Sequence, residues 1–212
     1  MSEQGPRRRQ ARGERRIEQI LDATAHLFAE VGYEAATTNA IAARAGMSPG
    51  SLYQFFPNKE AITEALAARY IDQLQLAQET AFGPDLAQMP LDALFDRIVD
   101  PFVSFNLANP GFQVLFNDSG VPVRVAKATQ QIHDAVVKRV EAMIAARAPT
   151  LPAGQRFQSA LVSVQLFRAL LPLILSAASA DARALVIVEL KKVLRGYLAP
   201  LIGEASPAGP AA

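Results

Sequence analysis

No cysteine occurs in this chain of 212 residues, which excludes disulfides and thiolate metal sites and fits a reducing compartment. A cytoplasmic location is therefore the expectation. Histidine is nearly missing too. His26 and His133 stand far apart with no cysteine to join them, so no metal site is expected. Strand signals are scarce: there is little period-two alternation and no Asn-Gly or Asp-Gly turn between apolar runs. The chain also lacks a P-loop, a dinucleotide fingerprint, a GxSxG elbow and an HExxH pair. No catalytic residue and no cofactor are expected.

Two further absences concern membranes. The basic N-terminus is not followed by a continuous apolar segment, so no signal peptide is expected. The longest apolar stretch, Phe157 to Ala180, is interrupted by Arg168, by Pro172 and by several Gln and Ser residues. A charge at mid-bilayer costs a few kcal/mol, so this stretch reads as a buried helix and not as a membrane span.

Charge is balanced overall, with a formal net charge of +1, but it is unevenly placed. From Ala35 to Lys59 there is no Asp or Glu, while Arg44 and Lys59 are present. The first sixteen residues carry Arg7, Arg8, Arg9, Arg12, Arg15 and Arg16 against Glu3 and Glu14. This arm fits equally a phosphate or minor-groove contact and a plain solvated tail.

What the chain does have is helical spacing throughout. Ile17, Ile20, Leu21, Ala25, Leu27 and Phe28 form an apolar stripe closed by Gly32. Thr37 or Thr38 then caps a short helix that Gly46 closes. Ser48 caps a third, with Pro49 at its first position, where a missing N–H costs nothing. Pro57 stops it, and Asn58 caps a fourth helix reaching about Phe82. Further helices are predicted over 91–108, 111–117, 123–148, 155–178 and 181–202, separated by Gly, Pro, Asn and Asp clusters.

The second and third helices have about two turns each and a very short connection, Ala45-Gly46-Met47. Ile41, Ala42, Ala45, Met47, Leu52 and Phe55 fall where two crossing helices face each other. That is the spacing of a helix-turn-helix, whose second helix enters the DNA major groove.

The stretch TTNAIAARAGMSPGSLYQFFPNKEAI, Thr37 to Ile62, resembles the N-terminal domain of the TetR family of bacterial transcriptional regulators. It carries Thr-Thr, an apolar pair, Ala-Gly, Ser, Leu-Tyr, an aromatic pair and Lys-Glu. The match spans roughly Arg15 to Leu66; beyond it only the order of helices is similar. The resemblance implies an all-α fold with a three-helix helix-turn-helix head and a C-terminal ligand-binding and dimerisation bundle. The corresponding domains are a basic flexible arm over 1–14, the DNA-binding head over 15–60, the bundle over 61–202 and a disordered tail over 203–212. It further implies a repressor released from a palindromic double-stranded DNA operator by a small effector.

Residue by residue, the resemblance places Lys59, Tyr53 and Thr38 on the DNA backbone. Asn39, Pro49, Gly50, Ser51 and Gln54 fall at positions facing bases, with the capping Ser48 counted in the same surface. A helix N-terminus attracts phosphate through its amides, which suits Lys59. Asn and Gln pair bidentately with adenine, whereas Pro49 and Gly50 offer only close approach or contact with a thymine methyl. With no Arg on the recognition helix, the operator sequence is not deducible.

The last two long helices are apolar nearly all round, and such helices are buried on two sides. Their stripes are Phe157, Leu161, Val164, Leu171 and Leu175, and Leu185, Val188, Leu190, Leu194 and Leu198. A homodimer through these two helices provides the second cover. The middle helices hold Phe102, Phe105, Phe112 and Phe116 beside Pro101, with His133, Gln165 and Arg168 as polar groups among apolar neighbours. An apolar cavity with few polar groups is what a small apolar effector needs. The rival to this reading is a helical protein-interaction adaptor without a small-molecule ligand, which leaves the acid-free segment without a purpose.

Overall fold

The computed structural model describes residues 4–117 and 120–203, and no strand occurs among them. The tail beyond Gly203 lies outside the described residues, as do the side chains of Arg7, Arg8, Arg9 and Phe116. The chain divides into two compact units, one formed by residues 1–72 and 108–130, the other by 73–107 and 131–212. The division falls inside a helix, between Asp72 and Gln73.

The first unit opens with α1 (Gln4–Ala35), broken at Gly32, whose φ of 79° only glycine adopts readily. The helix starts at Gln4, so the segment expected to be a flexible arm is helical from that residue. Arginine is a good helix former, and Pro6 sits in the first turn, where it is tolerated. Ile20, Leu21, Thr24 and Phe28 form the buried face of α1. α2 (Thr38–Arg44) is capped by Thr37, whose hydroxyl accepts the Ala40 N–H. α3 (Pro49–Tyr53) is capped by Ser48, which accepts the Ser51 N–H. α4 (Lys59–Ala81) is capped by Asn58, which accepts the Ala61 N–H. Each such cap contributes about 1 kcal/mol. Ile41, Ala42, Leu52, Ile62, Leu66 and Tyr70 complete the core of this unit.

The chain returns to the same unit with α6 (Phe112–Asn117) and the start of α7 (Val123–Arg147). Phe112 stacks edge-on against Tyr70, with ring centroids 5.6 Å apart. Burial pushes the Tyr70 phenol up to about 12.

The second unit contains a 3-10 turn over Pro84–Gln88, α5 (Leu91–Ala108), the remainder of α7, α8 (Ala153–Leu175) and α9 (Ala180–Ile202). Leu91, Leu94, Phe95, Val99, Val103, Ile144, Ala160, Ile174, Leu190, Leu194 and Leu198 form its core. Lys191 of α9 bridges Asp96 and Asp100 of α5 at 2.8 and 2.6 Å, and Arg195 pairs with Asp92 one turn along. The Arg147 guanidinium donates to the carbonyls of Leu86 and Met89, at 2.8 and 2.7 Å, and to that of Gly203 at 3.2 Å.

α8 is long and apolar enough to cross a membrane by length and composition, and with 28% of its most apolar stretch buried, the helix expected to be buried is largely uncovered within this chain. The two expected apolar stripes separate on closer view. Val164, Leu171, Leu190, Leu194 and Leu198 face the chain's own core, whereas Phe157, Leu185 and Val188 are exposed, together with Leu173 and Val193.

Candidate nucleic-acid interface

The two short helices are joined by a turn with no slack. Met47 N–H donates to Ala42 O and Gly46 N–H to Ala43 O, at 3.0 and 3.1 Å. Gly46 takes a φ of 65°, a left-handed backbone that glycine adopts freely and that strains most L side chains. α3 is anchored by one fully buried side chain, Leu52, so the rest of its surface is free to meet a partner. Pro49, Gly50, Tyr53 and Gln54 are exposed, Ser51 is half-buried, and Phe56 is buried as a core residue.

The sequence-predicted backbone contacts split into two groups. Thr38, at the start of α2, and Tyr53, at the end of α3, place their hydroxyl oxygens 3.0 Å apart. Two hydroxyls from different helices thus converge on one point, with the Tyr53 ring half exposed. Lys59 sits at the first residue of α4, and its Nζ donates to Tyr33 O at 2.9 Å and more distantly to Glu34 O at 3.4 Å. The same ammonium lies 4.2 Å from the centroid of the Tyr33 ring.

Among the base-facing candidates, Asn39 and Gln54 hold their side chains in solvent. Ser48 and Ser51 are engaged with each other: their hydroxyl oxygens are 2.9 Å apart, and the Ser48 oxygen also accepts the Ser51 N–H at 3.2 Å. A Cβ built on Gly50 meets nothing within 4 Å, so nothing inside the chain demands glycine there.

Arg44 supplies less positive charge than its sequence position suggests. Both oxygens of Glu30 accept from its Nη2, at 2.7 Å each, so an α1 carboxylate neutralises it. Beside it lies an open groove of about 510 Å³, lined by Gln19, Asp22, Ala23, His26, Arg44 and Ala45. Its ionic groups are already paired, Asp22 with Arg69 and Arg44 with Glu30. Sequence reasoning missed Glu30 and Tyr33, because each meets its partner across more than a dozen residues with no local signal.

The residues expected to hold an effector differ in burial and in the unit to which they belong. Phe102 is buried and stacks edge-on between Phe82 and Phe167, at 6.2 and 6.1 Å. Phe105 is also buried in the second unit, while Phe112 belongs to the first. Phe116 has its side chain outside the described residues. His133 lies on α7 with its Nδ1 3.5 Å from Asp134, and its Nε2 is buried without a hydrogen-bond partner among the described residues. Gln165 and Arg168 are exposed on α8.

Comparison with known proteins supplies a family. Residues 20–66 match the family described as "Bacterial regulatory proteins, tetR family". Residues 90–198 match the "Tetracyclin repressor-like, C-terminal domain". The transcriptional activator FasR of Mycolicibacterium smegmatis is 31% identical over 149 residues, covering 64% of this chain and 65% of that protein. The transcriptional repressor KstR of Rhodococcus jostii is 41% identical over 64 residues, 30% of either chain. The A-factor receptor protein of Streptomyces griseus is 34% identical over 88 residues, 42% of this chain and 29% of that protein. The chain thus spans less than two thirds of each of these relatives. A solved tetR-family regulatory protein from Rhodococcus shares the fold with a TM-score of 0.67 and 23% identity, covering 90% of this chain and 98% of that one. The two matched families together take in the helix-turn-helix and most of the helical bundle, and the chain belongs to the TetR family of bacterial regulatory proteins.

Proposed function

We propose that this chain is a DNA-binding transcriptional regulator that reads a palindromic operator as a homodimer and releases it when a small apolar effector binds. The observation that carries the reading is the convergence of the Thr38 and Tyr53 hydroxyls at 3.0 Å beside the exposed short helix α3. Hydroxyls and a lysine at element ends suit phosphate oxygens, whereas exposed Asn39 and Gln54 amides suit base edges. Relatives are named as a transcriptional activator and a transcriptional repressor, and this reading gives the chain no catalytic role. The reading places it in the cytoplasm, where its DNA is.

The dimer reading rests on the exposed apolar side chains of α8 and α9, Phe157, Leu173, Leu185, Val188 and Val193. A second copy covers them in a four-helix arrangement and brings two heads about one DNA turn apart. In this reading the exposed Gln165 and Arg168 serve the dimer surface, and the effector reading keeps Phe102, Phe105 and His133. The buried, unpartnered His133 Nε2 supports a polar contact to an otherwise apolar ligand. A ligand that prefers badly spaced heads weakens operator binding by its differential affinity, typically about 1–3 kcal/mol.

The test is to incubate the protein with genomic fragments and sequence what it retains. Enrichment of a palindromic motif supports the reading; an unselective or empty retained pool overturns it. A thermal-shift screen of hydrophobic compounds, followed by operator binding with each hit, tests the effector. Hits that stabilise the protein and leave operator affinity unchanged remove that part.

A further inference from the structure

Lys59 occupies an unfavourable end of its own helix. It is the first residue of α4, where the helix dipole presents partial positive charge and disfavours a cation. The chain compensates from elsewhere. After the kink at Gly32, Tyr33 and Glu34 lie in the last turn of α1, which ends at Ala35. Carbonyls in the last turn of a helix lack intrahelical partners. Lys59 donates to two of them, Tyr33 O at 2.9 Å and Glu34 O at 3.4 Å. It also rests on the face of the Tyr33 ring at 4.2 Å. The ring is fixed in turn: Tyr33 is buried and stacks edge-on against Phe28, with centroids 5.5 Å apart and planes at 75°.

We infer that Tyr33 is a positioning residue for the DNA-backbone contact of Lys59, holding the ammonium in place before DNA arrives. The inference rests on the reading of Lys59 as a phosphate contact. An ammonium has three N–H donors. Two are directed at the Tyr33 and Glu34 carbonyls, and the third remains for a phosphate oxygen. A free lysine loses several rotamers when it takes a phosphate, whereas one already seated on a ring and two carbonyls has lost them on folding. The ring's attraction for a cation survives DNA binding, because it does not compete for the third proton. Tyr33 therefore acts on DNA only through Lys59.

Two measurements test this. The first uses the unmodified protein: the ε-protons of Lys59 are followed by NMR beside those of Lys192, whose side chain is 74% exposed. Seating over Tyr33 moves the Lys59 signals upfield by ring current and slows ammonium exchange. Signals coincident with those of Lys192 overturn the inference. The second is a mutant cycle on a random-sequence duplex about three helical turns long, titrated between about 50 and 200 mM salt. Lys59→Ala lowers the slope of log affinity against log salt by about one per protomer. Tyr33→Leu lowers it in the same way, Tyr33→Phe keeps the wild-type slope, and Tyr33→Leu with Lys59→Ala binds no more weakly than Lys59→Ala alone. A folded Tyr33→Leu protein with a wild-type slope, or a double variant showing additive losses, overturns the positioning role. An unchanged slope in Lys59→Ala itself instead removes the phosphate reading beneath it. Should Tyr33→Leu not fold, the NMR measurement still decides.

Discussion

Gly111 lies so close to Ala25 that a β-carbon on it would stand 2.7 Å from the Ala25 carbonyl oxygen and 3.0 Å from the Ala25 Cα. The Tyr70 hydroxyl is 3.0 Å from the same point. Two of these neighbours are backbone and cannot step aside, so Gly111→Ala forces the start of α6 away from α1. Overpacking of this kind costs about 1–3 kcal/mol. Gly13→Ala, where a β-carbon meets nothing, is the control and is neutral or stabilising. Urea midpoints of the two variants check this, and equal midpoints count against the close approach.

Gly50 presents the opposite case. It lies in α3 with open space around it and no positive φ, so alanine there leaves the fold intact or stabilises it by up to about 1 kcal/mol. In the proposed DNA complex the added methyl meets the major groove. Gly50→Ala is expected to keep or raise Tm while weakening operator binding at least tenfold. Unchanged operator affinity places Gly50 away from the bases.

Gln54 and Asn39 are tested by a contrast between DNAs. Alanine at either is expected to cost about 1–3 kcal/mol at one operator position and little on random sequence. Uniform weakening on both reassigns the residue to the backbone.

Val164 is buried within the chain and Val188 is exposed, at 9% and 58% of their surfaces. Val188→Asp yields a folded monomer, visible by ultracentrifugation, because its charge opposes only the proposed partner copy. Val164→Asp places an unpaired charge in the chain's own core and yields unfolded or insoluble protein. A stable dimer carrying Val188→Asp rejects this face.

Arg147 is a candidate for a stability defect within the second unit. Arg147→Met strips a charged donor from the carbonyls of Leu86, Met89 and Gly203. The expected loss is about 3 kcal/mol, with Arg147→Lys recovering only part, since an ammonium does not reproduce the planar fork. Denaturation followed by circular dichroism reads both.

Local chemistry was legible in the sequence where a residue acts on its near neighbours. Ser48, Pro49, Asn58 and Gly46 announce their caps and turns, and the caps form as expected. Of the two threonines left open, Thr37 takes the cap and Thr38 is freed to meet Tyr53. What stayed hidden depends on distant pairing. Nothing near Arg44 announces Glu30, and nothing near Lys59 announces Tyr33. The apolar helices were equally mute about direction: α8 is hydrophobic on several sides, so periodicity alone did not separate the inward Val164 and Leu171 from the outward Phe157 and Leu173.

The first unit is discontinuous, taking residues 1–72 and then 108–130, with part of the second unit threaded between them. A ribosome therefore releases the helix-turn-helix well before the segment that completes its core. Until α6 emerges, the Tyr70 ring lacks the edge of Phe112 and the Ala25 backbone lacks its glycine neighbour. A fragment cut after Asp72 preserves that unfinished state, so the reading head is not obtained intact by trimming the chain at its apparent boundary.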